Sequence, residues 1–301
     1  MKLEEISTIT NKKPPKRLPP VKEPRMVELE YYRGLKAYSN MMKKYVRENL
    51  MPELKKLQPQ YTQDAYADDI KAILERLRVF AMSAVPIALA HKMVKSVERI
   101  NRGRYASALK SSFDIDVEGV LASEGLQSFT EAQIAKNATL IKSIPEEFIK
   151  NIETIVYNGV TSGERYETIA KKISGVKDIS SVFGKLDNRV KVIARNEVAT
   201  INSQINQKRL QSLGLDLYIW RTADDERVRG NPGGKYPNAR PRHDTMEGKI
   251  CKWNDATVYA DSIKDAKEGK WKKRSSIGGP NQHPGEPIAC RCYAEPVIDI
   301  E

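Results

Sequence analysis

The sequence predicts an α+β protein: mostly helical N-terminal and middle regions, followed by a small, loop-rich α+β C-terminal module. Three observations carry this expectation. Between residues 26 and 213, apolar side chains recur every three or four positions, the repeat of one helix face. Directly after Gly214, "LDLYIWRTA" has the aromatic and aliphatic composition of a strand. From there to residue 301 the chain is rich in Gly, Pro, Asn and Trp and poor in helical runs.

Residues 1–25 are expected as a basic, proline-rich arm, extended or disordered. "NKKPPKRLPPVKEPR" holds five prolines and six basic residues, Lys12, Lys13, Lys16, Arg17, Lys22 and Arg25. Proline fixes φ and removes a backbone donor, which favours polyproline-like geometry over a packed element. Residues 26–130 are expected as a basic helical region, in which Ile70, Ile73, Leu74, Leu77 and Phe80 fall at helical spacing. Pro52 marks a break. "VFAMSAVPIALA" is too short for the roughly 20 apolar residues of a membrane span, and is expected as a buried helix. "SSFDIDVEG" is expected as loop or short helix.

The third region covers residues 131–301. Its helices, over 145–213, begin at Pro145 with Glu146 and Glu147, a helix-start signal. Phe148, Ile152, Ile155 and Val156 form one apolar face; Val190, Ala194, Val198, Ile201 and Ile205 form another, and Gly214 stops the last helix. The loop-rich part covers 214–301.

The formal net charge is +12, and residues 1–110 alone account for +11 of it. One end of the molecule is therefore suited to a polyanion or an acidic protein surface, or is simply a basic solvated helical region. The opening "MKLEEISTIT" lacks the basic-then-apolar order of a signal peptide. Three cysteines make no disulfide framework and point to free thiols or metal ligands in a reducing compartment.

Chemistry concentrates in three stretches. "TADDERVRG" sets Asp224, Asp225 and Glu226 before Arg227 and Arg229. An extended backbone would place both arginines on one face, suited to carboxylates or phosphates. "RPRHDTMEGKICKW" holds His243, Glu247 and Cys251, and a histidine near carboxylates suits a general base. "HPGEPIACRC" offers His283, Cys290 and Cys292. With His243 or Cys251 these could complete a four-ligand zinc shell, although Cys-x-Cys without paired Cys-x-x-Cys knuckles is a weak zinc signal. The bland alternative is small buried side chains closing a loop-rich fold. No Gly-x-Ser-x-Gly, phosphate loop or paired-histidine metalloprotease spacing occurs.

In their order along the chain, these segments resemble the phage head morphogenesis family of Mu F-like minor head proteins, from about residue 135 to 296. Arg195 and Glu197 fit the family's Ala-Arg-Thr/Asn-Glu helix. Trp220, Asp225, Arg227 and Arg229 fit its Trp-x-Thr and Asp-x-Arg-Val-Arg strand and turn. His243, Gly248 and Trp253 fit its His-x-x-Leu-Asp-Gly segment. Pro284, Gly285, Cys290, Arg291 and Cys292 fit its closing Pro-Gly and Cys-Arg-Cys. This chain departs by an insertion, "GNPGGKYPNARPR", by "MEG" in place of Leu-Asp-Gly, and by lacking the extra cysteines that some members carry after the strand.

The resemblance implies a non-enzymatic minor structural protein of a tailed-phage head. It would sit at the portal vertex, in several copies per virion, and act in head assembly or in DNA packaging or delivery. Its implied partners are the portal protein, the major capsid or scaffolding protein, and packaged double-stranded DNA. Its implied location is the virion, and the host cytoplasm during assembly. No cofactor is implied; zinc stays a candidate through His243, Cys251, His283, Cys290 and Cys292. Two rival readings are a nuclease or transferase using His243 and Glu247 with Arg227 and Arg229, and a zinc-stabilised adaptor.

Overall fold

The computed structural model describes residues 2–11, 18–58, 66–113, 125–175 and 178–298. Nine α-helices are defined among them. They are α1 (Leu3–Thr10), α2 (Arg25–Tyr45), α3 (Met51–Leu57), α4 (Tyr66–Ser83), α5 (Ala88–Phe113), α6 (Gln127–Thr161), α7 (Tyr166–Ser174), α8 (Val182–Ser212) and the short α9 (Ile263–Lys267). Five strands follow α8 or flank α9: β1 (Leu217–Arg221), β2 (Ile250–Lys252), β3 (Asp255–Ala260), β4 (Lys272–Lys273) and β5 (Tyr293–Pro296). This is the expected α+β class. No described helix is long and apolar enough to cross a membrane.

The chain divides into two compact units, each discontinuous in sequence: residues 1–27, 94–131 and 196–301 form one, and residues 28–93 and 132–195 the other. Neither follows the expected limits at 26–130 and 131–301, because long helices carry residues of both. The second unit is all helical. Leu35, Met42, Ile70, Leu77, Ile144 and Ile152 are buried in it, and burial of each such side chain stabilises by about 1.5–3 kcal/mol.

Two prolines in this unit take opposite roles, one against expectation and one with it. Pro145 lies inside α6 and does not start it. The apolar repeat continues across it, with Ile141, Ile144, Phe148 and Ile149 all buried, and that burial outweighs the roughly 3 kcal/mol that an interior proline costs. Pro52 stands in the first turn of α3, where its missing donor is least missed, directly after a π-helical turn at Val46–Leu50. "VFAMSAVPIALA" is not one buried helix. Helix α4 ends at Ser83 and α5 starts at Ala88, leaving Val79, Met82 and Ile87 exposed on either side of the turn at Pro86.

The first unit contains the sheet. Its strand order is β4-β3-β2-β1-β5, with every neighbouring pair antiparallel. Strand β1 alternates as its sequence suggests: Tyr218 and Trp220 point into the main core, while Leu217 and Ile219 pack on the other face with Ile250, Ala260 and Ala266. The main core also takes in Leu3, Ile6, Leu18, Val21, Leu109 and Leu210.

The N-terminal segment therefore corrects the expectation of a free arm. Residues 3–10 form α1, whose Leu3 and Ile6 supply an apolar face to that core, and the Leu3 amide donates to Leu213 O at 3.0 Å. Residues 18–24 form neither helix nor strand, and Leu18 and Val21 are buried. The Val21 carbonyl accepts from the side-chain amides of Asn202 (3.2 Å) and Asn206 (2.9 Å), and Arg104 donates to Lys22 O at 2.5 Å. Asn101 donates to both asparagine carbonyls, while fully buried Arg209 donates to Asn101 at 2.6 Å and to Glu98 at 2.7 Å. Buried polar groups are tolerable only when paired in this way. Lys12, Lys13, Lys16 and Arg17 lie outside the described residues; Lys22 and Arg25 are exposed.

Candidate functional site

The turn after β1 is built by its carboxylates. Asp225 accepts from the Arg227 amide at 2.9 Å and from the Arg291 guanidinium. Burial works against its charge, but these donors hold its carboxyl below the usual range. The segment is a series of turns, not an extended strand, and Arg227 and Arg229 both line the small cavity beside His243. Arg229 donates to Ile288 O, and Arg227 is largely exposed beside Glu226.

The thirteen-residue insertion at 230–242 is an excursion closed at its base. The amides of His243 (2.9 Å) and Asp244 (3.1 Å) both donate to Arg229 O, so the chain leaves and returns at one point. His243 then sits at the head of a short 3₁₀ turn, Asp244–Met246, with its ring buried edge-on to Trp220 at 6.0 Å between centroids. Gly248, at φ +75°, returns the chain to β2, its amide donating to Trp220 O at 2.9 Å.

From the other side comes the segment before β5. Gly285, at φ +93°, lies against α8, where an added Cβ would meet Ala199 O at 3.2 Å and Ser203 Cβ at 3.3 Å. Pro284 is buried beside it. Asn196 of α8 accepts from the Ala289 amide at 2.7 Å, across from a residue at φ +57°. This clamp turns Cys290 and Cys292 inward and leaves Arg291 half-exposed between them. Arg195 and Glu197 flank Asn196 on α8, both half-buried.

The outcome is a buried cluster of three: Cys290 Sγ lies 3.5 Å and Cys292 Sγ 3.4 Å from His243 Nδ1. All three ligand-type atoms fall within 4.8 Å of one another. The cluster borders a cavity of about 20 Å³, lined also by Arg227, Arg229 and Arg291. Burial opposes a thiolate at Cys290, yet hydrogen bonds from Cys292 and His243 and the Gly285 amide bring its thiol well below the ordinary range. Cys292 moves the opposite way, because the neighbouring Cys290 sulfur and burial both penalise a second negative charge.

The other sequence-designated ligands lie elsewhere. His283 Nδ1 faces the Tyr218 hydroxyl at 2.9 Å, and Tyr218 accepts from Arg274 at 3.0 Å. Burial and the nearby Arg274 charge push the His283 pKa down to about 4, so its ring is neutral near pH 7. Cys251 is buried in the same core, and burial raises its thiol. Glu247 is not a partner of His243. It accepts from the Thr222 amide (2.6 Å) and hydroxyl (2.7 Å) and from Arg221 (3.1 Å), which locks the end of β1. Its carboxyl stays below its usual range despite burial. The nuclease constellation of His243, Glu247, Arg227 and Arg229 is therefore not assembled.

Two residues had no signal in the sequence reading. Arg274 is fully buried, donating to Val258 O (3.0 Å), Gln282 O (2.9 Å) and Tyr218, with its guanidinium 5.4 Å from the Trp220 ring. It stands among exposed lysines in "KWKKRSS", where nothing distinguishes it. Asn196 lay in view within "ARNE", and only the packed helix reveals what it caps.

Residues 150–295 match the family described as Phage Mu protein F like protein. The matched stretch runs from within α6 to Glu295 of β5 and includes every member of the sulfur–imidazole cluster, so the match supports a phage head-related protein. An uncharacterized protein of Haemophilus influenzae is 26% identical over 290 residues, covering 93% of this chain and 55% of its own length. The chain thus spans about half the length of that relative. No solved structure matches.

Proposed function

We propose that this chain is a minor head protein that associates with the portal vertex of a tailed phage and acts in head assembly and in packaging or delivery of DNA. The match of residues 150–295 to the Mu F-like family carries this reading. The site agrees with it: the motif residues serve to hold loops, turns and one helix together, as a binding module requires. In this reading the partners are portal protein and the major capsid or scaffolding protein, with several copies per virion, assembled in the host cytoplasm. Co-expression with portal protein followed by affinity purification of the portal tests it. Recovery of the chain with portal rings and mature heads is expected; absence from both procapsids and virions would sink it.

The six cations of residues 12–25 are the proposed DNA contacts. Each neutralised phosphate releases counterions, so six or more contacts imply a loss of about 10³–10⁵ in affinity between 50 and 200 mM salt. Binding to linear double-stranded DNA that ignores salt, or that survives replacement of all six by Gln, would refute the contact.

A further inference from the structure

We propose that His243, Cys290 and Cys292 bind one zinc ion, with a fourth coordination position opening into the adjoining cavity. Ligands from two separate segments converge here. Zinc bonds imidazole nitrogen at about 2.0–2.1 Å and thiolate sulfur at about 2.3 Å, so two ligands at a tetrahedral angle stand roughly 3.6 Å apart. The two nitrogen–sulfur separations are 3.5 and 3.4 Å. The cavity of about 20 Å³ is the size of a single water or ion, and roughly 10–15 Å³ already suffices for a water.

The polar inventory points the same way. The cluster is buried, so its sulfur and ring-nitrogen atoms must find partners among themselves or in a bound ion. Two thiols and one imidazole are weak partners for one another, whereas a dication engages all three at once. Two thiolates neutralise the ion, which lets it sit among the Arg227, Arg229 and Arg291 guanidiniums without net repulsion. Ligand set and location also differ from what the sequence suggested, since Cys251 and His283 are engaged in the core. The ion would tie the base of the 230–242 excursion to the segment that enters β5, a structural role. With three protein ligands the fourth position falls to water.

The test uses the full chain, tag-free and purified without chelator. Elemental analysis should return one zinc per chain, and cobalt reconstitution should give thiolate-to-cobalt charge-transfer absorption with intense tetrahedral d–d bands. His243→Ala and the double variant Cys290→Ser/Cys292→Ser should each lose at least nine-tenths of the metal. Cys251→Ser should keep it, which separates ligand loss from general thiol loss. Folded wild-type chain that contains no zinc and gives no sulfur-dependent cobalt spectrum would overturn the assignment, as would full zinc in the double variant. Should the ligand variants fail to fold, the wild-type stoichiometry and cobalt spectrum decide alone.

Discussion

The two buried histidines of the sheet-containing unit are forty residues apart and live in opposite chemistries. His283 stands in a satisfied network: Arg274 donates to the Tyr218 hydroxyl, which meets the His283 ring, and Trp253 packs at 5.0 Å. His243 has two sulfurs on one nitrogen and, among the described residues, no hydrogen-bond partner on the other. A histidine with conventional partners is explained by packing. A histidine whose only close polar neighbours are cysteines asks for a further component. Both rings lie within reach of the same Arg274–Trp220–Tyr218 group, so the contrast arises from which loop delivers each ring.

Replacing Arg274 by Met is the severest way to break the His283 side. It strands Val258 O and Gln282 O in the core, and each unpaired group costs about 1–3 kcal/mol. A loss of about 3 kcal/mol or more is expected in urea unfolding, and a loss below about 1 kcal/mol would contradict the network. Acid sharpens the comparison next. The folded pKa of His283 lies at about 4, below the ordinary 6.5, so the folded state resists the proton that the unfolded chain accepts. Its contribution is whole above pH 6.5 and is lost as pH falls from there to about 4, on the order of 3 kcal/mol at 1.36 kcal/mol per unit. His283→Gln should flatten that part of the stability–pH curve; an unchanged slope would refute the assignment. Arg291→Ala is the mildest. It removes only a half-exposed ion pair to Asp225, and about 0.2–1 kcal/mol is expected in the same unfolding assay.

Much of the fold was legible. The 3.6-residue repeat marks α4 and α8, because it reports which face meets the core, and the aromatic and aliphatic composition of "LDLYIWRTA" marks β1. Proline was read less well. Pro19, Pro20 and Pro24 say nothing of Leu18 and Val21, whose burial depends on a helix 180 residues away. Pro145 signalled a boundary that packing overrode, whereas Pro52 does stand at a helix start.

The site divides along the same line. By itself the sequence determined the helical faces of α4 and α8, the strand composition of β1 and the inventory of five sulfur and imidazole groups, because local sterics and hydrophobic period act between near neighbours. Only the tertiary structure decided which three of the five meet, that Glu247 caps a strand, and that Arg274 is a buried pin. Those outcomes depend on loops that meet across the sheet, and spacing along the chain carries no record of distance through space.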